Sequence, residues 1–508
     1  MPDTTLLKRI LFSLIFLYAY PNLFAQTGPG GVGSSSSNIL WLKANEITGL
    51  SNGADVLTWP DGSGNSNTLT QPTASFSPTY QTSVINALPV VRFSKTNGRI
   101  RRNSFTGFPT SSITAIYVNR TTDSGDGTLS YASSTSNNND FLLFRSENLN
   151  FYRGSNIGSG VSFNDNSFHI ANAVWRNSDG RIEVWKDGSQ DFTSTGFRTG
   201  TSITSGGTLA IAGEQDAVDG NYAANQAHFG DFSEVMIFNT FLNTAQNIIV
   251  SNYLAAKYGL TISNDRFAYQ GTHPNDVAGI GREDGSNEHT AAMSDDILRV
   301  EGADGLNENQ EYLRFGHDGA DITTTWTTTE APNGGTDIQR LAREWRFDET
   351  GTVGNIDVVI DVAGMPTLPA GHTVYALMVD GDGDFSSGAT VYELSLDAGT
   401  EYSYSGYDIN DGDYMAIAAV RPTVQHTTIS GAGSESTSPT IELTLNFIPA
   451  TSRTIDVTTA DVTTTVVDDN RVIPRASFEE TLAFVESELL YALDKLPEES
   501  FNSGEATN

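Results

Sequence analysis

The 508-residue chain contains no cysteine. That excludes disulfide staples, thiolate metal sites and a cysteine nucleophile. It also excludes a lipoprotein anchor, whose attachment needs a cysteine at the point of signal cleavage. Basic residues are scarce: 28 Lys and Arg stand against 61 Asp and Glu, a formal net charge of −33. Such a balance argues against nucleic acid as a partner, because phosphate binding needs basic patches. It favours solubility and the attraction of divalent cations. Beyond the N-terminus, no apolar run is long enough to cross a membrane.

Signatures of catalysis are missing as well. Jelly-roll glycanases carry paired carboxylates as Glu-x-Asp-x-x-Glu on one strand, spaced for acid/base or nucleophilic work, and no apolar-flanked strand here has that pattern. Glu183 is alone on its strand, and Glu283, Asp284 and Glu288 fall in a Gly/Asn loop. The seven histidines, among them His169, His228, His273, His289 and His317, form no His-x-x-x-His ligand set. No Gly-x-Ser-x-Gly elbow or phosphate loop is present. The expectation is a protein that is not an enzyme, with a polysaccharide hydrolase as the weakest alternative.

What remains is enough to build cores, with 38% hydrophobic and 10% aromatic residues. At about 100–200 residues per domain, two to four domains are expected. Residues 1–25 carry Lys8-Arg9, an apolar run from Ile10 to Tyr20, and Ala25 before Gln26. This is the build of a cleaved secretory signal peptide, so export to the cell surface or beyond is expected. Residues 26–38, with Gly-Pro-Gly-Gly and Ser34 to Ser37, read as a flexible linker.

From Ile39 onward, short apolar-alternating segments are separated by Gly/Asn/Ser/Asp clusters, which signals an all-β sandwich. Examples are 113–118, 141–144, 168–175 and 181–186. Asn243 can cap a helix, Gly259 can end it, and Ile249, Tyr253, Leu254 and Tyr258 give it one apolar stripe. The expected fold class is mainly β: tandem β-sandwiches, the first a jelly roll, with a closing helix after the first and a helix at the C-terminus.

The most informative stretch is 213–231, which gathers Glu214, Asp216, Asp219 and Asp231 among Gly, Asn and Gln between two strands. Carboxylates, amides and carbonyls on one loop suit a hard cation such as Ca²⁺. The stretch equally fits a solvated acidic hairpin loop that binds nothing. Its Glu-Gln-Asp, a later Gln and a Gly-Asp resemble the calcium loop and following strand of pentraxins, members of the laminin-G/concanavalin-like lectin superfamily. The resemblance implies that Glu214 and Asp216 bind calcium through carboxylates, Gln215 through its main-chain carbonyl, and Gln226 as a further ligand. A further acidic ligand of the family's second calcium falls on Ala223, which leaves a second ion without it.

The opening Leu-Trp-Leu strand at 40–42, the Trp-x-Asp-x-Ser-Gly turn at 59–64 and the Pro-Val-Val-x-Phe strand at 89–93 resemble bacterial laminin-G-like lectin domains, as does the ending at 252–260. The lectin-like domain is therefore set at 39–262. Residues 263–421 resemble an uncharacterised bacterial β-rich domain and read as a second sandwich. Within it, Asp380, Asp382 and Asp384 resemble the first half of a calcium loop, but position 12 of that pattern is Val391, and a plain turn is the other reading. Residues 422–470 are Thr-rich, and 435–457 resemble the start of a Calx-beta repeat. Residues 471–508, with a capping box at Ser477 and Leu482, Val485, Leu489 and Leu493 at helical spacing, resemble a SusD-type helix. That helix reads either as a fused or truncated frame or as an ordinary C-terminal helix. The resemblances together imply a secreted or cell-surface lectin-like protein that recognises glycan or another extracellular ligand, calcium-assisted. The alternative is a structural or adhesive surface protein with no small-ligand site.

Overall fold

The computed structural model describes residues 27–134, 136–302, 305–430 and 440–450. The expected signal segment 1–25 and helix 471–508 lie outside the described residues. Of the Calx-beta-like piece, 440–450 is described, and its strand Thr440–Leu445 pairs with Val424–Ser430. The chain is mainly β and divides into two compact units. The first takes the described residues up to Asp318 with Arg346–Val358 and Ser405–Asp411, and so runs past residue 262.

The first unit holds a sandwich of two 8-stranded sheets. One sheet runs Ser189–Ser194, Arg181–Lys186, Phe168–Arg176, Ser112–Thr121, Gly230–Phe238, Leu88–Phe93 and Thr79–Ile85, with Asn38–Lys43 also paired to Gly230–Phe238. The other is centred on Gly127–Ala132, flanked by Phe141–Phe144 and Thr208–Ile211. Strand alternation explains the packing. From Ser112–Thr121, Ile113, Ala115 and Tyr117 enter the core between the sheets, while Ile116 and Val118 point to the opposite face. Gly230–Phe238 divides likewise, with Phe232, Val235 and Ile237 inward and Met236 and Phe238 outward. Both faces are apolar because a helix covers the second one.

That helix is Thr244–Tyr258. Asn243 accepts from Gln246 N at 2.9 Å, and Gln246 returns a side-chain oxygen to Asn243 N at 3.0 Å, a complete capping box. Ile249, Val250, Tyr253, Leu254 and Tyr258 pack on the sheet. The sequence suggested one stripe, yet the helix is buried on a second side too. Ala245 and Ile248 pack on Tyr312, and Ala256 packs with Phe267 and Val277.

The lead-in is a correction to the flexible linker expected at 26–38. From residue 27 it is folded: Pro29–Gly31 forms a buried turn, and Val32 joins the cluster under the helix. His289 Nε2 lies 2.9 Å from the Gly31 carbonyl oxygen. A Cβ on Gly31 would stand 2.6 Å from the Ala292 Cβ, and its φ is +75°. Glycine here permits a close approach of backbones rather than looseness.

One charge lies under the helix. Glu234, on the central strand, has no solvent exposure. Its carboxylate accepts from Trp41 Nε1 at 2.6 Å, Tyr253 OH at 3.0 Å, Tyr258 OH at 2.7 Å and Lys257 Nζ at 2.7 Å. Burial first, then the Glu234 charge, pushes both phenols well above their ordinary value, so they stay protonated as donors.

The second unit has its own core. Ile338–Arg340 and Val374–Asp380 flank Tyr414–Val420, and Thr390–Glu393 pairs beyond. Met378, Phe385, Val391, Ala416, Ala418 and Phe447 fill it.

Removing the buried acceptor strands its donors. Glu234→Ala should cost about 3–5 kcal/mol, read as a lower denaturation midpoint of the full chain. A loss of under about 1 kcal/mol, the scale of an exposed ion pair, would show that the helix docks without it.

Candidate functional site

The loop at 213–231 follows the strand Thr208–Ile211. It folds into a small hairpin, Gln215–Ala217 with Gly220–Tyr222, and then a single turn, Ala224–Gln226. Gln215 anchors it and is fully buried. Its amide donates to the carbonyls of Ser130 at 3.1 Å and Thr208 at 2.9 Å, and its side-chain oxygen accepts from Asp219 N at 3.1 Å. Gln215 thus spends its side chain on the fold.

The four acids of the loop differ in what meets them. Asp231 sits between Arg92, at 2.6 Å, and Arg120, at 2.5 Å. Asp219 pairs with Arg101 and accepts from Asn103 Nδ2 at 2.8 Å. Among the described residues Glu214 and Asp216 have no arginine; they are met by amides from another loop. Asn139 Nδ2 donates to Glu214 Oε1 at 2.8 Å, and Asn138 Nδ2 donates to Asp216 Oδ1 at 3.2 Å. Glu214 is 2% exposed, and among the described residues its Oε2 has no hydrogen-bond partner. Neither has the buried Oδ1 of Asn139. Burial raises the Glu214 carboxyl above its ordinary value; Asn139 opposes this and the Asp216 charge adds to it.

Two neighbours make this arrangement possible. A Cβ on Gly127 would stand 2.7 Å from the Glu214 Cβ, so only glycine leaves room for the buried acid. Below the loop, His228 pairs with Asp126, both buried, and Asp126 also accepts from Ser146 N and Oγ at 2.8 Å. Burial would raise the Asp126 carboxyl, but His228 and Ser146 outweigh it and hold it well below the carboxylate range.

The structure therefore brings Glu214 and Asp216 together and adds Asn138 and Asn139, which the sequence reading did not single out. Their only signal was a run of asparagines before Phe141. Gln226 ends the single turn, and among the described residues no hydrogen bond joins its side chain to the group. In the second unit, Asp380, Asp382 and Asp384 turn back on their own backbone. Asp380 Oδ1 accepts from the amides of Asp382 and Gly383 at 2.8 Å, Asp382 Oδ1 from Asp384 N at 2.9 Å, and Asp384 Oδ1 from Ser386 N at 3.1 Å. These are successive side-chain-closed turns.

Comparison with known proteins finds two matching family descriptions. Residues 101–270 match the Pentaxin family, and residues 246–413 match a domain of unknown function, DUF8202. C-reactive protein 1.4 of Limulus polyphemus is 32% identical over 80 residues, covering 16% of this chain and 33% of its own. Human neuronal pentraxin-2 is 30% identical over 88 residues, covering 17% of this chain and 20% of its own. The chain thus spans a third or less of these curated relatives. The heptameric SAP-like pentraxin of Limulus polyphemus is a structural neighbour at 21% identity and TM-score 0.26, over 31% of this chain and 76% of its own. Among the described residues, no helix is long and apolar enough to cross a membrane.

A raised folded-state carboxyl value makes the native state bind more protons than the unfolded chain. In chelator, the Glu214 contribution is therefore fully present below the unfolded value, about 4.3, and is lost as pH rises through the folded one. Glu214→Gln should flatten that part of the stability–pH profile of the full chain. An unchanged profile would show that the buried carboxyl is not strained.

Proposed function

We propose that the Pentaxin family domain at 101–270, within the lectin-like span 39–262, is the ligand-binding part of an exported protein that recognises glycan with the help of calcium. Glu214 and Asp216 are its acidic ligands, Asn138 and Asn139 supply amide oxygens, and Gln215 offers its main-chain carbonyl. Gln226 would join when the loop closes on the ion. The observation that carries this reading is the Oε2 of Glu214, a 2%-exposed carboxylate, which has no hydrogen-bond partner among the described residues, as the Oδ1 of the neighbouring Asn139 also has none. An unmet buried polar atom costs about 1–3 kcal/mol, more when charged. A calcium ion needs six to eight such oxygens, and amide oxygens and carbonyls serve as well as carboxylates.

The mechanism is one of presentation. Arg101, Arg92 and Arg120 neutralise Asp219 and Asp231, so the loop's free negative charge is confined to Glu214 and Asp216. Turning the amide of Asn139 about its last torsion would exchange a donor for an acceptor toward the ion. A site with few charges on an exposed loop is weak, on the order of 10⁻⁴–10⁻³ M, which suits an extracellular setting. Vicinal hydroxyls of a sugar could complete the ion's shell, which links calcium to glycan.

The hydrogen bonds that the Asn138 and Asn139 amides already donate to the two acids favour a second reading. In it the loop is a self-contained acidic turn on an adhesive or structural surface protein. Calcium at about a hundred times its dissociation constant should stabilise the first sandwich by roughly 2.7 kcal/mol. We expect its melting transition in the full chain to rise with millimolar calcium. Asp216→Asn should abolish the rise, and Asp382→Asn should leave it intact. A glycan array probed in calcium and in chelator should show calcium-dependent spots. No melting shift and no calcium-dependent spot would favour the second reading.

A further inference from the structure

A different set of side chains converges elsewhere in the first unit. The strands Asn275–Asp284 and Glu311–His317 pair antiparallel, with Asn275 opposite His317. Asn275 Nδ2 donates to the His317 carbonyl at 3.0 Å, which fixes the strand ends together. The ladder is irregular between Asn275 and Ala278, and Asp276 stands in that irregularity. The hairpin Ala291–Ser294 and Leu298–Glu301 brings its turn alongside, and Ser294 Oγ donates to the Asp276 carbonyl at 2.9 Å. That turn carries Asp295.

One donor atom from each of Asp276, Asp295 and His317 lies within 4.8 Å of the others. His317 Nε2 is 3.5 Å from Asp276 Oδ2 and 3.9 Å from Asp295 Oδ2. His317 is buried, at 3% exposure, while both carboxylates reach solvent. Charge-assisted hydrogen bonds are shorter, at about 2.7–2.9 Å. The 3.5 Å spacing is close to what tetrahedral donors show around an ion with bonds of roughly 2.0–2.2 Å, and the 3.9 Å spacing needs only a small side-chain shift to match it. The carboxylates face a cleft of about 530 Å³, also lined by Trp41, Lys43, Tyr253 and Met293.

We propose that Asp276, Asp295 and His317 hold one divalent transition-metal ion, of the zinc class, with an open coordination position toward this cleft. The ligand type sets the class. Imidazole suits zinc, nickel, copper or iron, whereas calcium and magnesium take oxygen donors. Three protein ligands with a fourth position left to water or a ligand is the build of an exchangeable site rather than of a closed structural one. The same cleft is lined by the Trp41 ring, over which Lys43 Nζ stands at 3.9 Å while also pairing with Glu46. An oxygen-bearing ligand in the cleft could reach the metal and the cation together. This site shares no residue with the Glu214 loop, and its donor set selects a different metal.

The test uses the full-length protein, stripped with chelator and dialysed, with Zn²⁺ as the probe. Equilibrium dialysis should find one equivalent bound by the wild type and by Asp216→Asn. Asp295→Asn and His317→Gln should each weaken binding by about tenfold or more. The Asp295 substitution lies on an exposed turn, so unchanged metal-free melting of that variant separates ligand loss from misfolding. Co²⁺ in place of Zn²⁺ should give visible absorption bands that Asp295→Asn removes. Three results would overturn the proposal: no stoichiometric zinc on the wild type, wild-type affinity in both ligand variants, or loss of zinc in Asp216→Asn alone. The first two would leave the trio as a buried histidine beside two carboxylates.

Discussion

A charge with no access to water must be met by donors that cannot move away. Glu234 imposes that condition on the first unit. Its four donors come from a strand some 193 residues earlier in the chain, at Trp41, and from the closing helix. Tyr253, Lys257 and Tyr258 are spaced so that one side of the helix's last turns presents all three. Apolar contacts alone would let a helix slide or rotate on a sheet at little cost. A buried carboxylate allows one register, because any other leaves it unpaired. The apolar outer faces of Ser112–Thr121 and Gly230–Phe238 are covered as a result.

Much of this fold was legible in the sequence. Alternation marked the strands, and Asn243 with Gly259 marked the helix. What escaped was anything whose meaning depends on a distant partner. Glu234 sits in an apolar run and reads as one polar residue in a strand. The lead-in was misjudged because Gly, Pro and Ser make both loose linkers and tight turns. The difference lies in Ala292 and His289, far along the chain. The second buried side of the helix was missed because Ala245 and Ala256 are too small to stand out in a hydrophobic pattern.

The candidate loop shows the same division. Glu214 and Asp216 were visible as acids two residues apart. That they lack arginines among the described residues while Asp219 and Asp231 have them is a fact of three dimensions. Asn138 and Asn139 looked like ordinary turn residues until the fold set them against the acids. In a chain so acidic, the count of carboxylates says little about where a cation would rest. The informative quantity is which carboxylates the protein has left without a countercharge, and how deeply.

The doubly covered helix has a consequence for how the unit comes into being. Ala245, Ile248 and Ala256 have their partners at Tyr312, Phe267 and Val277, which leave the ribosome after the helix does. Until they arrive, the nascent sandwich exposes an apolar helical flank to whatever is nearby. The same flank would be bare on any fragment that stops just after the helix. Such a fragment would associate with itself or with a chaperone, even with every strand of the sandwich in place.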